Sequence, residues 1–385
     1  QFTLRAALEA PADQSGVWLF SMTRGDSVID PIILASVGKS EEAGFALNRV
    51  AVRARIDSLR HRIDLEQGDF GRVDTRPSHN IGVAVTGSLD YSGAEPHLAF
   101  GVAATRMPME VMQRMWPIFT AVHVREWVAS HMSGGIVERV VIAGNAPLPY
   151  FKADGPPMND EGLSIEIETS GTTLRPIAEL PAIRDADLTA RITGGTATIN
   201  LGRGTVDVAP GRKLSIAGGV FEIPNTHPKP APARAHFRVD GSVPAAAALL
   251  ASPALRDDFG ITLDPASSRG TVDAQVALNM LIGRNAPKKS ASYTVTADLN
   301  NFAADKMLMG QKVEASSLRV SASPNGYEVT GDVKINGTPA TIDLSKKKGA
   351  PDAELHLQAM IDEAARRRLG IDFGGAVTGT IPVKV

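Results

Sequence analysis

Arg256-Asp257-Asp258-Phe259-Gly260-Ile261 runs through a polar turn and Gly270 into Val272, Ala274, Val276 and Leu278, with an apolar residue at every second position. The same order returns at the C-terminus, where Arg366-Arg367-Arg368-Leu369-Gly370-Ile371 leads to Gly379 and then to Ile381, Val383 and Val385. A looser copy runs from Pro108 through Trp127 to Gly135 and continues from Ile136 to Ile142. The unit is a short helix closed by glycine and followed by a strand with one apolar face. Its reuse marks a repetitive β chain. The repeats divide the chain at 1–145, 146–280 and 281–385, the last one cut short.

Period-2 alternation extends beyond the repeat. It is present in Val50, Val52, Ala54 and Ile56, in Ile81, Val83 and Val85, in Ala197, Ile199 and Leu201, and in Leu214 and Ile216. It returns in Phe237 and Val239, in Tyr293 to Leu299, in Leu318 and Val320, in Val333 and Ile335, and in Ile342 and Leu344. Turn signals such as Pro324-Asn325-Gly326 and Asn336-Gly337 separate them, spaced for antiparallel meanders. Helical spacing is confined to Ile118, Ala121, Val124, Val128 and Met132, to Pro244–Leu255 and to Ile361–Leu369. The fold class is therefore mainly β and antiparallel. His227-Pro228-Lys229-Pro230-Ala231-Pro232 is expected to be a stiff loop between strands, and Lys346-Lys347-Lys348 a solvated turn, with contact to anionic headgroups as its second reading.

Three helices cannot cover about twenty half-apolar strands, and leaving those faces in water costs roughly 25 cal/mol per Å². A second sheet, a sheet rolled closed, or a ligand lying in an open trough could each supply the cover.

Composition excludes several chemistries. With 40 basic and 42 acidic residues scattered along the chain, there is no sustained basic field for nucleic acid. Absence of cysteine excludes disulfides, thiolate metal sites and a cysteine nucleophile. The apolar runs Val17–Phe20 and Pro31–Val37 fall far short of the roughly 20 residues of a membrane helix. A start at Gln1 and an end within the strand pattern at Val385 read as a segment of a longer protein.

No catalytic constellation emerges, and no cofactor or metal site is expected. Asp-Phe-Gly triplets at Asp69, Asp258 and Asp372 lack the other kinase motifs. Gly38-Lys39-Ser40 lacks the glycine that a phosphate loop needs at Ile33. His123 and His131 share a helix without metalloprotease spacing, and the carboxylate pairs Asp257-Asp258 and Asp362-Glu363 read as solvated groups. A carbohydrate-active β enzyme that assembles distant carboxylates remains an alternative.

The stretch from Met115-Trp116-Pro117 through Arg125-Glu126-Trp127-Val128 to Ser133-Gly134-Gly135-Ile136-Val137 resembles the AsmA-like family of bacterial envelope proteins. The likeness continues in Leu174-Arg175-Pro176-Ile177, Leu188-Thr189-Ala190, Gly194-Gly195, Leu249-Leu250, Gly260-Ile261 and Gly270-Thr271-Val272, and so covers residues 105 to 385. It implies an elongated, twisted antiparallel sheet curled into a repeating β-groove, apolar inside and polar outside. It also implies a periplasmic location, an inner-membrane anchor preceding this segment, and transport of phospholipid or another acyl-chain lipid towards the outer membrane. Membranes at the ends of the full-length protein and other envelope proteins are the implied partners. On this reading Val272, Ala274, Val276, Leu278, Ile381, Val383 and Val385 line the groove. A competing reading is a scaffold that binds outer-membrane protein segments by strand addition at an open sheet edge.

A groove of this kind must offset on the order of 20 kcal/mol for two acyl chains, at about 0.8 kcal/mol per CH₂. A uniform lining of Val, Ile, Leu and Ala does so without a sticking point.

Overall fold

The computed structural model describes residues 4–11, 13, 15–24, 32–34, 45–76, 79–116, 122–152, 155–176, 179–253, 255, 263–283, 285–287, 291–308, 310–368 and 379–384. The protein is mainly β and antiparallel in every described pairing. The first strands are β1 (Arg5–Glu9), β2 (Val17–Arg24), β3 (Ile32–Leu34), β4 (Phe45–Leu47), β5 (Arg49–Asp57), β6 (Arg62–Arg72), β7 (Ile81–Asp90), β8 (His97–Ala104) and β9 (Met107–Pro108). Helices α1 (Met109–Met115) and α2 (Val122–His131) follow, and then β10 (Met132–Ser133), β11 (Ile136–Pro147), β12 (Leu163–Leu174), β13 (Ile183–Thr193), β14 (Ala197–Ala209), β15 (Arg212–Ile223) and β16 (Ala231–Ser242). After helix α3 (Val243–Leu250) come β17 (Ser268–Ile282), β18 (Ser292–Leu308), β19 (Gln311–Ser323), β20 (Gly326–Ile335), β21 (Thr338–Lys347) and β22 (Glu354–Ile361). Helix α4 (Glu363–Arg368) and β23 (Ile381–Lys384) close the described chain. All strands except the β3–β4 pair belong to one sheet.

Contacts group the chain into two compact units. The first holds residues 1–174, 185–201 and 222–231, and the second holds 175–184, 202–221 and 232–385. These units are defined by packing, and the three repeats by sequence, so the two divisions differ in kind.

In the first unit, β1, β2, β5, β6, β7, β8, β11 and β12 pair in that order. Helices α1 and α2 occupy the connection between the paired strands β8 and β11. Trp116 ends α1 in an extended conformation, as expected of the residue before Pro117. Gln113 donates to the carbonyls of Val128 and Met132 and so ties α1 to the end of α2. Their apolar faces cover Leu47, Ile81, Met107, Val137 and Val140, with Met109 wholly buried between.

In the second unit, β17 to β23 pair strictly with their sequence neighbours. Helix α4 fills the connection between β22 and β23, as α1 and α2 do between β8 and β11. Ser242 caps α3 by accepting from the Ala245 amide, with Pro244 in the first turn.

Four sequence expectations need correction, two of them helix ends: Met132 lies in β10, one residue past α2, and the helix expected through Leu255 ends as α3 at Leu250. Ile361 was expected to open a helix but closes β22, paired with Ile381, because Asp362 caps α4 by accepting from the Ala365 amide. Lys346 and Lys347 were expected in a turn but continue β21, paired with Tyr327 and Gly326. The helix end at Arg256–Ile261, the Leu369-Gly370-Ile371 segment, Pro117 to Ala121, Gly38-Lys39-Ser40, Asp258, Asp372 and Val385 lie outside the described residues. His227 to Pro230 lie in the connection between β15 and β16, as the stiff-loop reading expects, whereas Ala231 and Pro232 already open β16.

The glycine that opens each repeat strand has a positive φ in all three copies, +75° at Gly135, +113° at Gly270 and +88° at Gly379. At the first two positions the backbone also passes too close for a side chain. A Cβ on Gly135 would meet the Ser170 carbonyl oxygen at 2.5 Å, and one on Gly270 would meet that of Asn300 at 2.7 Å. A bulge lies next to each: Glu138 is the extra residue in β11, and Asn301, at φ +50°, is the extra residue in β18. At the third copy, the buried Arg366 donates to the Gly379 carbonyl at 2.8 Å, tying α4 to the start of β23.

Candidate functional site

Strands β17 to β23 place one set of alternate residues inward and the other outward. The inward rows follow from the register: Val276 pairs with Val295, which pairs with Ala322, which pairs with Tyr327. Ala274 pairs with Ala297, then Val320, Val329, Leu344 and Leu355 in succession. Further along the strands, Val333 pairs with Ala340, then Ala359 and Val383. The outward face carries ion pairs instead: Arg238 with Asp240 and Asp273, Arg319 with Asp298, Lys312 with Glu314 and Arg269 with Asp305. These are partly exposed pairs worth about 0–1 kcal/mol each, and their main effect is to fix which face meets water.

Burial on the apolar face is graded along the strands. At the end that carries α3 and α4, Phe302, Val313, Leu318 and Ile342 are 0–2% exposed and pack with Val333, Ile335 and Ala340. These side chains lie on one face of successive strands, so curvature of the sheet upon itself, with Val243 of α3, supplies their cover. At the other end Leu278, Tyr293, Val295, Tyr327, Leu344 and Leu355 are only half-buried. Across β18 to β21 the face is covered at its helical end and half-covered at the opposite end, while on β22 and β23 Leu357, Ala359, Ile381 and Val383 remain half-buried even near the helices.

That gradient separates the residues expected to line a groove. Val272 and Ala274 are buried in a cluster with Ala245 of α3, Val206 and Leu214, and so serve the packed core. Val276 and Leu278, beyond the helix on the same face, are half-buried, as are Ile381 and Val383 on β23. Val276 lies against Val295, Leu278 against Tyr293, Ile381 against Ile361 and Val383 against Ala359. The four share a face at opposite edges of a run of seven strands without meeting at one point.

Two depressions, of about 1000 and about 450 Å³, lie on the other face. The larger is lined by exposed residues such as Asp332, Lys334, Thr341, Gln358 and Met360, on both sides of the row from Phe302 to Val383. Its lining omits the next inward residues, Leu318, Ile342 and Leu357, so it is a concavity of the polar surface. A twisted sheet is saddle-shaped and forms such hollows on either face.

Sequence reasoning placed Lys346 in a turn and gave Tyr327 no part. Both stand on the inward face at the open end, directly opposite each other on β20 and β21. Among the described side chains of β17 to β23, Lys346 is the one charge on that face. Burial pushes the Tyr327 phenol above its usual range near 10.0. Because the folded state holds this proton more tightly than the unfolded chain, the associated stability is present below the ordinary phenol pKa and is lost as pH rises through the folded value. Tyr327→Phe should therefore lessen the fall in melting temperature between pH 9 and 11. Identical alkaline melting curves for wild type and variant would contradict that burial.

Among the described residues no group of three or more His, Asp or Glu is placed to hold a metal ion. The Asp69 triplet lies within β6, in the ladder opposite Ala51 and Ala84. Comparison of the chain with protein-family models, with curated proteins and with solved structures finds no match in any of the three.

Proposed function

We propose that this chain carries phospholipid, or another acyl-chain lipid, along the inward face of its sheet as an AsmA-like envelope protein of the periplasm. The graded burial in β17 to β23 carries the reading: a continuous apolar surface is covered at its helical end across β18 to β21 and left half-covered at the other end and along β22 and β23. Acyl chains are the occupant that suits a long lining with almost no polar group, since each methylene withdrawn from water contributes about 0.8 kcal/mol. The absence of a dominant polar contact suits conduction, which requires that no position hold its cargo too tightly.

Lipid extracted from the purified chain and identified by mass spectrometry tests the proposal, with bound diacyl lipid expected. Photo-crosslinkers at Leu278 and Ile381 should capture that lipid. The double variant Val276→Asp with Val383→Asp should abolish the crosslinks and keep the circular dichroism of wild type, because both sites are half-buried and can hydrate a charge. Undiminished crosslinking and transport in that variant would remove these strands from the conduit.

The sheet edge favours a second reading. Among the described residues β1 pairs with β2 alone and all five of its residues are exposed, which suits strand addition by a partner polypeptide. Loss of partner copurification on placing proline at Ala7, with lipid content unchanged, would support that reading over the first.

A further inference from the structure

The open end of the trough carries polar chemistry that an apolar conduit alone does not require. Lys346 occupies the last inward position of β21, in line with Ala340, Ile342 and Leu344, where the alternation would place another aliphatic residue. Tyr327 faces it across the ladder and packs its ring on the apolar core. Lys347, which ends β21 on the outward side, and Lys348, at the turn that Gly349 closes, follow at once and are exposed. None of the three ammonium groups has a carboxylate partner among the described residues, whereas lysines and arginines of the outward face, such as Lys312 and Arg319, are paired. The neighbouring carboxylates Glu328 and Glu354 alternate onto the outward face, on either side of Ser345. Two of the four tyrosines in the chain, Tyr293 and Tyr327, stand on inward positions at this end.

A long cationic side chain at the rim of an apolar surface lays its methylenes on that surface and holds its charge at the water boundary, and tyrosine divides in the same way. Unpaired positive charge over an apolar trough is complementary to one kind of molecule, with an anionic head and hydrocarbon tails. We infer that this end is a headgroup site for anionic lipid, where Lys346 holds the phosphate, Lys347 and Lys348 add positive charge at the rim and the Tyr327 hydroxyl donates to the phosphate, while the acyl chains enter along Val276, Val295 and Leu344. The inference rests on the lipid reading of the trough and adds a charge preference to it.

The test is titration of the full chain with two short-chain diacyl lipids, dihexanoyl phosphatidylglycerol and dihexanoyl phosphatidylcholine, and separately with inorganic phosphate. Wild type should prefer the anionic lipid by on the order of tenfold at low salt, and the preference should shrink as salt rises. The triple variant Lys346→Gln, Lys347→Gln, Lys348→Gln should bring the two affinities together by weakening phosphatidylglycerol alone. Lys346→Gln by itself, a single change at a rim position, should lose part of the preference and guards against a folding defect in the triple variant. A preference that survives the triple variant, or no preference in wild type, overturns the headgroup site while leaving the trough intact. Failure of wild type to bind either lipid overturns the trough reading and the site with it. Saturable binding of inorganic phosphate that displaces phosphatidylglycerol would assign the lysines to free phosphate instead.

Discussion

Gly270→Val should lower the melting temperature by on the order of 10 °C. Two costs combine. A β-branched residue at φ +113° is strained by about 1–3 kcal/mol, and its Cβ would press on the carbonyl oxygens of Asn300 and Asn301 and the Cα of Phe302, all backbone atoms within 3.0 Å. Because those atoms belong to the bulge of β18, relief requires shifting the strand, which adds about 1–3 kcal/mol as overpacking does elsewhere. A total of about 2–6 kcal/mol corresponds to that shift for a unit of this size. Gly135→Val should behave alike in the first unit, against Ser170, Gly171 and Thr172. Gly379→Asn is the control: its φ is positive but nothing lies within 4 Å of the new Cβ, so it should cost under about 1 kcal/mol. Equal melting temperatures for Gly270→Val and Gly379→Asn, followed by calorimetry, would show that the close approach does not matter.

Leu318→Ala should cost about 2–5 kcal/mol, against about 1 kcal/mol or less for Val276→Ala on the same face of the same sheet. Leu318 is 1% exposed and packs in the cluster of Phe302, Val329, Val333 and Ile342, so truncation leaves a void that the surrounding strands fill only in part. Val276 is half-buried at the open end, where water can take up the space. Denaturant titrations of the two variants measure the gradient directly. Equal losses would mean that the face is uniformly packed from end to end, with no open mouth.

Alternation made the strands legible. Val50 to Ile56, Ile81 to Val85, Tyr293 to Leu299 and Ile342 to Leu344 fall in β5, β7, β18 and β21, because a half-buried strand must repeat every two residues. Strand β22 was not read, although Leu355, Leu357 and Ala359 alternate, since the helical spacing that follows drew Ile361 into the wrong element. The candidate site was legible only as a face. Val272, Ala274, Val276 and Leu278 are equivalent by periodicity, and what separates them is the cover from α3, a contact between positions far apart in sequence. Lys346 was assigned to a turn because three lysines before a glycine carry no strand signal, and only pairing with Tyr327 shows that β21 continues through it.

The strict neighbour pairing of β17 to β23 also bears on how the chain reaches this structure. Each new strand finds its template in the one just completed, and the links between β19 and β20 and between β20 and β21 are tight turns, closing Ser323 onto Gly326 and Ile335 onto Thr338. Loop closure is then a small entropic step taken repeatedly instead of a large one taken once. A sheet of such size would ordinarily be slow to form, but this sequence can assemble like a zipper, one hairpin at a time, as it is synthesised.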